Sequence, residues 1–207
     1  MDEIILIGPS GTGKSTIGKL LAERFGVPQV SLDDLRWTYY KEVGYDEELA
    51  RQIREENGFP ALIQYWAQFN AHAVERVLAE HHDCVIDFGA GHSIYENETD
   101  FKCVQSLLAA YDNVILLLPA QNLDESIQIL FERQQHLAPP SDRSIIRSIL
   151  EHHVRNHSNH DLAKMVIYTK DNSPEETRDQ IVDRLSPETL RTYDQARSYW
   201  LAKKAPR

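Results

Sequence analysis

The run Ile4-Ile5-Leu6-Ile7 followed by Gly8-Pro9-Ser10-Gly11-Thr12-Gly13-Lys14-Ser15-Thr16 decides how the rest of this chain is read. The second part fits G-x-x-x-x-G-K-[ST] at every required position, and its context fits too: a short apolar run precedes it, and Ile17, Leu20, Leu21 and Phe25 follow at helical spacing. Glycines let a backbone wrap closely around an anion, successive N–H groups then point inward, and the helix start adds the positive end of its dipole. The loop is therefore a candidate phosphate cradle made by Gly8, Ser10, Gly11, Thr12, Gly13, Lys14, Ser15 and Thr16. Lys14 is expected to reach the β- and γ-phosphates of a nucleoside triphosphate, and the Ser15 hydroxyl to ligate Mg²⁺.

Outward from the loop, three more apolar runs stand between polar flanks: Cys84-Val85-Ile86, Val114-Ile115-Leu116-Leu117-Leu118 and Met165-Val166-Ile167-Tyr168. Runs of this kind are strands buried on both faces of a parallel sheet, and Gln29-Val30-Ser31-Leu32 is a weaker fifth candidate. Helical stripes lie between them, including Ala73, Val77 and Leu78, and Ile127, Leu130 and Phe131. Alternation of strand and helix predicts an α/β domain with a parallel sheet covered on both sides. Residues 37–80 are too long for one crossover and are expected to hold two or three helices, interrupted near Gly58-Phe59-Pro60. Residues 133–160 carry Pro139-Pro140, several arginines and a histidine cluster. The chain after Ser186-Pro187 reads as one more helix with a frayed basic end, Lys203-Lys204-Ala205-Pro206-Arg207. The expected organisation is one domain over 1–185 and a helical extension over 186–207.

The chain has 207 residues and a formal charge of −10, an acidic balance that argues against a general nucleic-acid or membrane-surface binder. Hydrophobic residues make up 42%, enough for one well-packed domain. No apolar stretch is long enough to span a bilayer, and the start does not read as a signal peptide. The two cysteines, Cys84 and Cys103, read as reduced thiols, so the expected location is the cytoplasm.

Ligands of open parallel sheets sit beyond the carboxyl ends of the strands, where this chain carries acids. Asp87 ends the third run and is a candidate for the metal side, directly or through water. Asp33 and Asp34 follow the weak second strand; Asp33 is the better placed to meet an acceptor hydroxyl, while helix capping is the alternative reading for the pair. Gly89-Ala90-Gly91 allows close approach of a ligand or forms a plain turn.

Together these residues resemble the shikimate kinase branch of the small P-loop kinases, relatives of the nucleoside monophosphate kinases, over most of residues 1–185. The resemblance implies a three-layer α/β/α fold with a five-stranded parallel sheet in the order 2-3-1-4-5, a helical acceptor-binding segment and a lid. Aligned on the family's D-x-D, Ser31 stands at the first acid and Asp33 at the second, so Asp33 inherits the acceptor hydroxyl and Asp87 supplies the metal-side carboxylate. The family's glycine triplet appears as Gly89, Ala90 and Gly91, its substrate arginine as Arg155 ahead of Ala163, and its adenine-side loop as Ser173-Pro174-Glu175-Glu176. The departures concern the acceptor. The family's Phe-Arg pair is replaced by a stretch without arginine, Gly58 to Trp66, and its Arg-Pro-Leu-Leu lid by Leu137-Ala138-Pro139-Pro140-Ser141-Asp142-Arg143. Paired arginines clamp a carboxylate through bidentate bonds, so the acceptor is expected to differ from shikimate. The aromatics Trp37, Tyr39, Tyr40, Tyr65 and Trp66 point to an apolar or ring-shaped compound, with core packing as the plainer role for most of them.

Phosphoryl transfer needs positive charge over the migrating group. Arg143 is expected to be the lid arginine and Arg133 to serve the adenine side or the phosphates. His152, His153, His157 and His160 lack partners at ligand spacing and read as surface or capping residues. The resulting expectation is a kinase that uses ATP and Mg²⁺ to phosphorylate a hydroxyl of a small metabolite, with an ATPase or nucleotide-binding regulatory protein as the alternative.

Overall fold

The computed structural model describes residues 3–137 and 139–204, without the side chains of residues 137 and 198–204. Ala138 of the lid stretch and residues 205–207 of the basic end lie outside these described residues. Five parallel strands, β1 (Ile4–Ile7), β2 (Gln29–Ser31), β3 (Val85–Asp87), β4 (Asn113–Leu118) and β5 (Met165–Tyr168), form one sheet in the order β2-β3-β1-β4-β5. This is the order expected from the resemblance. Side chains alternate along each strand, so Ile5 and Ile7 enter the core on one face while Ile4 and Leu6 enter that on the other. That is why the strands read as unbroken apolar runs.

On one face pack α2 (Leu32–Glu42), α3 (Glu47–Glu80), α4 (Glu98–Leu108) and α7 (His157–Leu162), through residues such as Tyr40, Phe69, Phe101 and Leu162. On the other face pack α1 (Lys14–Phe25), α8 (Pro174–Val182) and α9 (Pro187–Lys204), through Leu21, Ile181 and Tyr193. Helices α5 (Leu123–Gln134) and α6 (Arg143–Arg155) share a smaller core of Ile127, Leu130, Leu150 and Val154.

Helix α3 is broken at Gly58, whose φ of 81° and ψ of −178° no ordinary side chain tolerates; Pro60 then opens the second segment, where its missing N–H costs nothing. The aromatics noted in the sequence pack between α2 and α3: Trp37 meets Trp66 at 5.5 Å and Tyr40 meets Phe69 at 5.3 Å. Tyr39 and Tyr40 are buried in this core, and Trp37, Tyr65 and Trp66 are partly buried against it. Helix α9 is stitched into the sheet. The Tyr193 hydroxyl accepts from Ile4 N–H at 2.9 Å and donates to Cys84 O at 3.0 Å, while its ring stacks on Phe25. Among the described residues no helix is long and apolar enough to cross a membrane.

Candidate active site

The strand register brings the site together. Asp87 lies level with Leu6 on one side and with Ser31 on the other, so the carboxyl ends of β1, β2 and β3 form one ledge. The phosphate loop leaves this ledge and turns directly into α1. Gly8 is required here, because a Cβ would lie 2.6 Å from Leu117 O and its φ is +130°. Thr12 braces the turn by donating to Pro9 O at 3.0 Å. Lys14 folds back across the loop and donates to Gly8 O at 2.7 Å and Pro9 O at 2.9 Å. Burial pulls the Lys14 ammonium down to about 8, and the charges of Asp33 and Asp87 partly oppose that shift. Ser15 and Thr16 stand exposed at the start of α1.

Beside Lys14, Ser15 Oγ donates to Asp87 Oδ1 at 2.8 Å. Gln29 Nε2 donates to the other oxygen of Asp87 at 2.7 Å, and Ser31 Oγ approaches Oδ1 at 3.4 Å. Asp87 is almost fully buried, so its orientation is fixed by these donors. Asp33 and Asp34 fall in the first turn of α2; the N-cap is Ser31, which makes no side-chain cap, so neither acid caps the helix. Asp33 is half-exposed and accepts from Arg36 Nη1 at 3.0 Å. Gly89 is needed next to it for close approach: an added Cβ would lie 2.1 Å from Asp33 Oδ1 and 2.6 Å from His92 Nδ1. Ala90 and Gly91 continue this turn, and Gly91 O accepts from Asn70 Nδ2 at 2.9 Å.

Several contributors went unnoticed in the sequence. Arg36 stacks over Trp37 at 4.3 Å and Trp66 at 5.0 Å while holding Asp33. His92 is buried, its Nε2 lies 3.1 Å from the Tyr40 hydroxyl, and burial pushes the imidazole down to about 4. Tyr40 in turn donates to Asn70 Oδ1. His153 corrects the surface reading of the histidines: it is 7% exposed and pushed down to about 4, chiefly by burial. His152 and His157 do stay at the surface, beside Glu96 and Asp161. No local pattern marks the buried pair; His92 meets Tyr40 of α2, far from it in the chain.

The lid arginines are dispersed. Arg133 Nη1 donates to Gly11 O at 3.0 Å and thus rests on the phosphate loop, next to Gln134, which holds Ser10 O. Arg143 opens α6 at an exposed position. Arg155 pairs with Asp124 on the surface and does not join Asp33. A cleft of about 760 Å³ runs between the second half of α3, the 91–97 loop and α6; Ser144, immediately after Arg143, lines it, and Arg155 does not.

A profile of the family described as AAA domain matches residues 4–135. The shikimate kinase of Streptomyces avermitilis is 29% identical over 183 residues, which span 88% of this chain and 94% of that protein. Among solved structures, a shikimate kinase from Acinetobacter baumannii in complex with shikimate shares the fold with a TM-score of 0.55 at 18% identity, covering 89% of this chain and 95% of that one. That from Aquifex aeolicus gives 0.52 at 22% identity, covering 91% and 98%.

Proposed function

The chain belongs to the AAA-domain family and is similar to shikimate kinases along most of its length, and from that premise we propose that it is an ATP-dependent kinase acting on a hydroxyl of a small metabolite. One observation carries this reading: Lys14, the Ser15–Asp87 pair and Asp33 converge on the ledge at the strand ends, beside a cleft large enough for a second substrate.

In the proposed reaction the loop amides and Lys14 hold the β- and γ-phosphates, trading the Gly8 and Pro9 carbonyls for phosphate oxygens. Arg133 and the loop it touches border the nucleotide. Ser15 and Asp87 offer only oxygen donors, one of them a buried carboxylate, which suits a hard cation such as Mg²⁺. No cluster of three or more His, Cys, Asp or Glu able to hold an ion stands among the described residues, so these two residues fit an ion that arrives with the nucleotide. When bound, Mg²⁺ supplies charge neutralisation on the phosphate oxygens.

Asp33 Oδ1 accepts the hydrogen bond of the acceptor hydroxyl, aligns its oxygen with the γ-phosphorus and takes the proton as the bond to phosphorus forms and the bond from phosphorus to the β–γ bridging oxygen breaks, with ADP as the leaving group. Gly89 gives it room, Ala90 and Gly91 border the acceptor, and Arg143 closes over the transfer from the start of α6. Most of the acceleration comes from positioning and electrostatics. The test is ATP turnover with and without a panel of hydroxylated metabolites. Acceptor-dependent ADP release with a phosphorylated product supports the kinase, and turnover in water that no compound alters overturns it.

A further inference from the structure

The lining of the cleft restricts what can be phosphorylated. Its aliphatic surface comes from Ile63, Ile94, Ile145 and Ile149, and Asn70 and Gly91 also line it. Gly91 belongs to the same turn as Gly89, against which Asp33 packs, so the cleft touches the turn that borders the proposed acceptor-side carboxylate. Among the described residues no lysine or arginine lines it; the carboxyl side chains Glu96 and Asp100 do. Of the cations nearby, Arg36 is engaged with Asp33 and two indoles, Arg147 with Glu151 and Gln128, and Arg155 with Asp124, while Arg143 stands exposed at the start of α6, outside the lining.

A carboxylate entering this lining loses water, finds no cation to replace it and meets two like charges. An uncharged compound with a ring or other apolar body loses little on leaving water and covers the isoleucines. The cleft also offers a polar anchor. His153 lines it and is more than nine-tenths buried; its Nδ1, itself shielded from solvent, has no hydrogen-bond partner within the protein, so a small turn of the ring would be needed to bring that nitrogen to a ligand. Burial keeps that imidazole neutral at ordinary pH, able to donate or accept a hydrogen bond without importing charge.

We propose that the acceptor of this kinase is an uncharged alcohol with an apolar body, seated in the cleft between α3 and α6 and anchored by His153, and that compounds carrying a carboxylate are rejected. This deepens the kinase reading and rests on it for the transfer step alone; the binding preference stands by itself.

The experiment uses matched pairs that differ only in charge, shikimate with its methyl ester and quinate with its methyl ester. Binding to the full chain is followed by ligand-observed NMR in the presence of ADP and Mg²⁺, and phosphate transfer by ³¹P NMR with ATP. Each ester is expected to bind at least about tenfold more tightly than its acid. Ile149→Arg, which sets a cation into the cleft, is expected to reverse the order. His153→Ala is expected to weaken the esters about tenfold, with His153→Gln recovering part of the loss because an amide also donates and accepts. ADP binding, measured in parallel, reports whether each variant is folded. An acid that binds as well as its ester, or failure of both esters to bind at millimolar concentration, overturns the proposal, as does His153→Ala without effect on them. Esters that bind as expected but gain no phosphate leave the cleft assignment standing, and if no other hydroxylated compound gains phosphate either, the kinase reading is overturned.

Discussion

The Ser15 hydroxyl donates to the Asp87 carboxylate across 2.8 Å and so joins the first turn of α1 to the end of β3. Gln29, at the start of β2, holds the second carboxylate oxygen at 2.7 Å. A helix and two neighbouring strands thus fix one buried acid beside the phosphate loop. Asp87→Asn keeps the size of the side chain and removes its charge. It is expected to raise the Mg²⁺ concentration needed for half-maximal turnover by about 10–100-fold, with little change in thermal stability. Turnover titrated with Mg²⁺ checks this, and an unchanged requirement removes Asp87 from the metal side.

Lys14→Ala is expected to abolish ATP binding and turnover, measured by calorimetry and ADP release. In the native chain the Lys14 ammonium is held down at about 8 by burial. Phosphate prefers the protonated lysine, so ATP affinity should fall as pH rises through about 8, and Lys14→Met should flatten that fall. Between pH 8 and the ordinary lysine value of 10.5, the unfolded chain keeps a proton that the native chain has released. Stability contributed by this group therefore rises with pH across that window.

Asp33→Asn is expected to slow phosphate transfer by about 10²–10⁴-fold while sparing ATP affinity, because the amide no longer takes the acceptor proton. Single-turnover rates with saturating acceptor test it. A transfer rate equal to wild type leaves Asp33 as the partner of Arg36 and nothing more.

The two buried imidazoles set an acid limit. His92 and His153 ordinarily titrate near 6.5 and are pushed down to about 4, so between these values the unfolded chain binds protons that the native chain refuses. Stability is therefore lost as pH falls from about 6.5 to 4, by as much as about 3 kcal/mol for each group. Denaturant unfolding at pH 7 and pH 5 reads this loss. His153→Gln should shrink the difference between the two pH values, and an equal difference in that variant would mean that other groups cause it.

Tyr193→Phe keeps the stack on Phe25 but leaves Ile4 N–H and Cys84 O without the hydroxyl they share. A cost of about 1–3 kcal/mol is expected, seen as a lower midpoint in thermal or denaturant unfolding. Stability equal to wild type would show that α9 is held by its apolar contacts alone.

Much of the fold is legible in the linear chain because its signals are local. The loop from Gly8 to Thr16 needs its glycines and Lys14 in one fixed spacing, and the strands show as apolar runs because both faces are covered. Asp87 and Asp33 could be found because Asp87 ends one strand and Asp33 lies two residues past another, and strand ends are where open parallel sheets hold ligands.

What the sequence by itself determined, then, is the phosphate loop, the parallel sheet and the acids at its rim. Only the tertiary structure decided which side chains surround them. Gln29 meets Asp87 across 58 positions, His92 meets Tyr40 across 52, and Tyr193 meets Ile4 across 189. The same holds for the acceptor cleft, whose walls come from α3, the 91–97 loop and α6 and whose lack of cations is a property of their packing. The reason is physical: motif spacing reports what neighbouring residues must do for one another, whereas burial, and the charge and proton affinity it controls, is set by elements that meet only once the chain has folded.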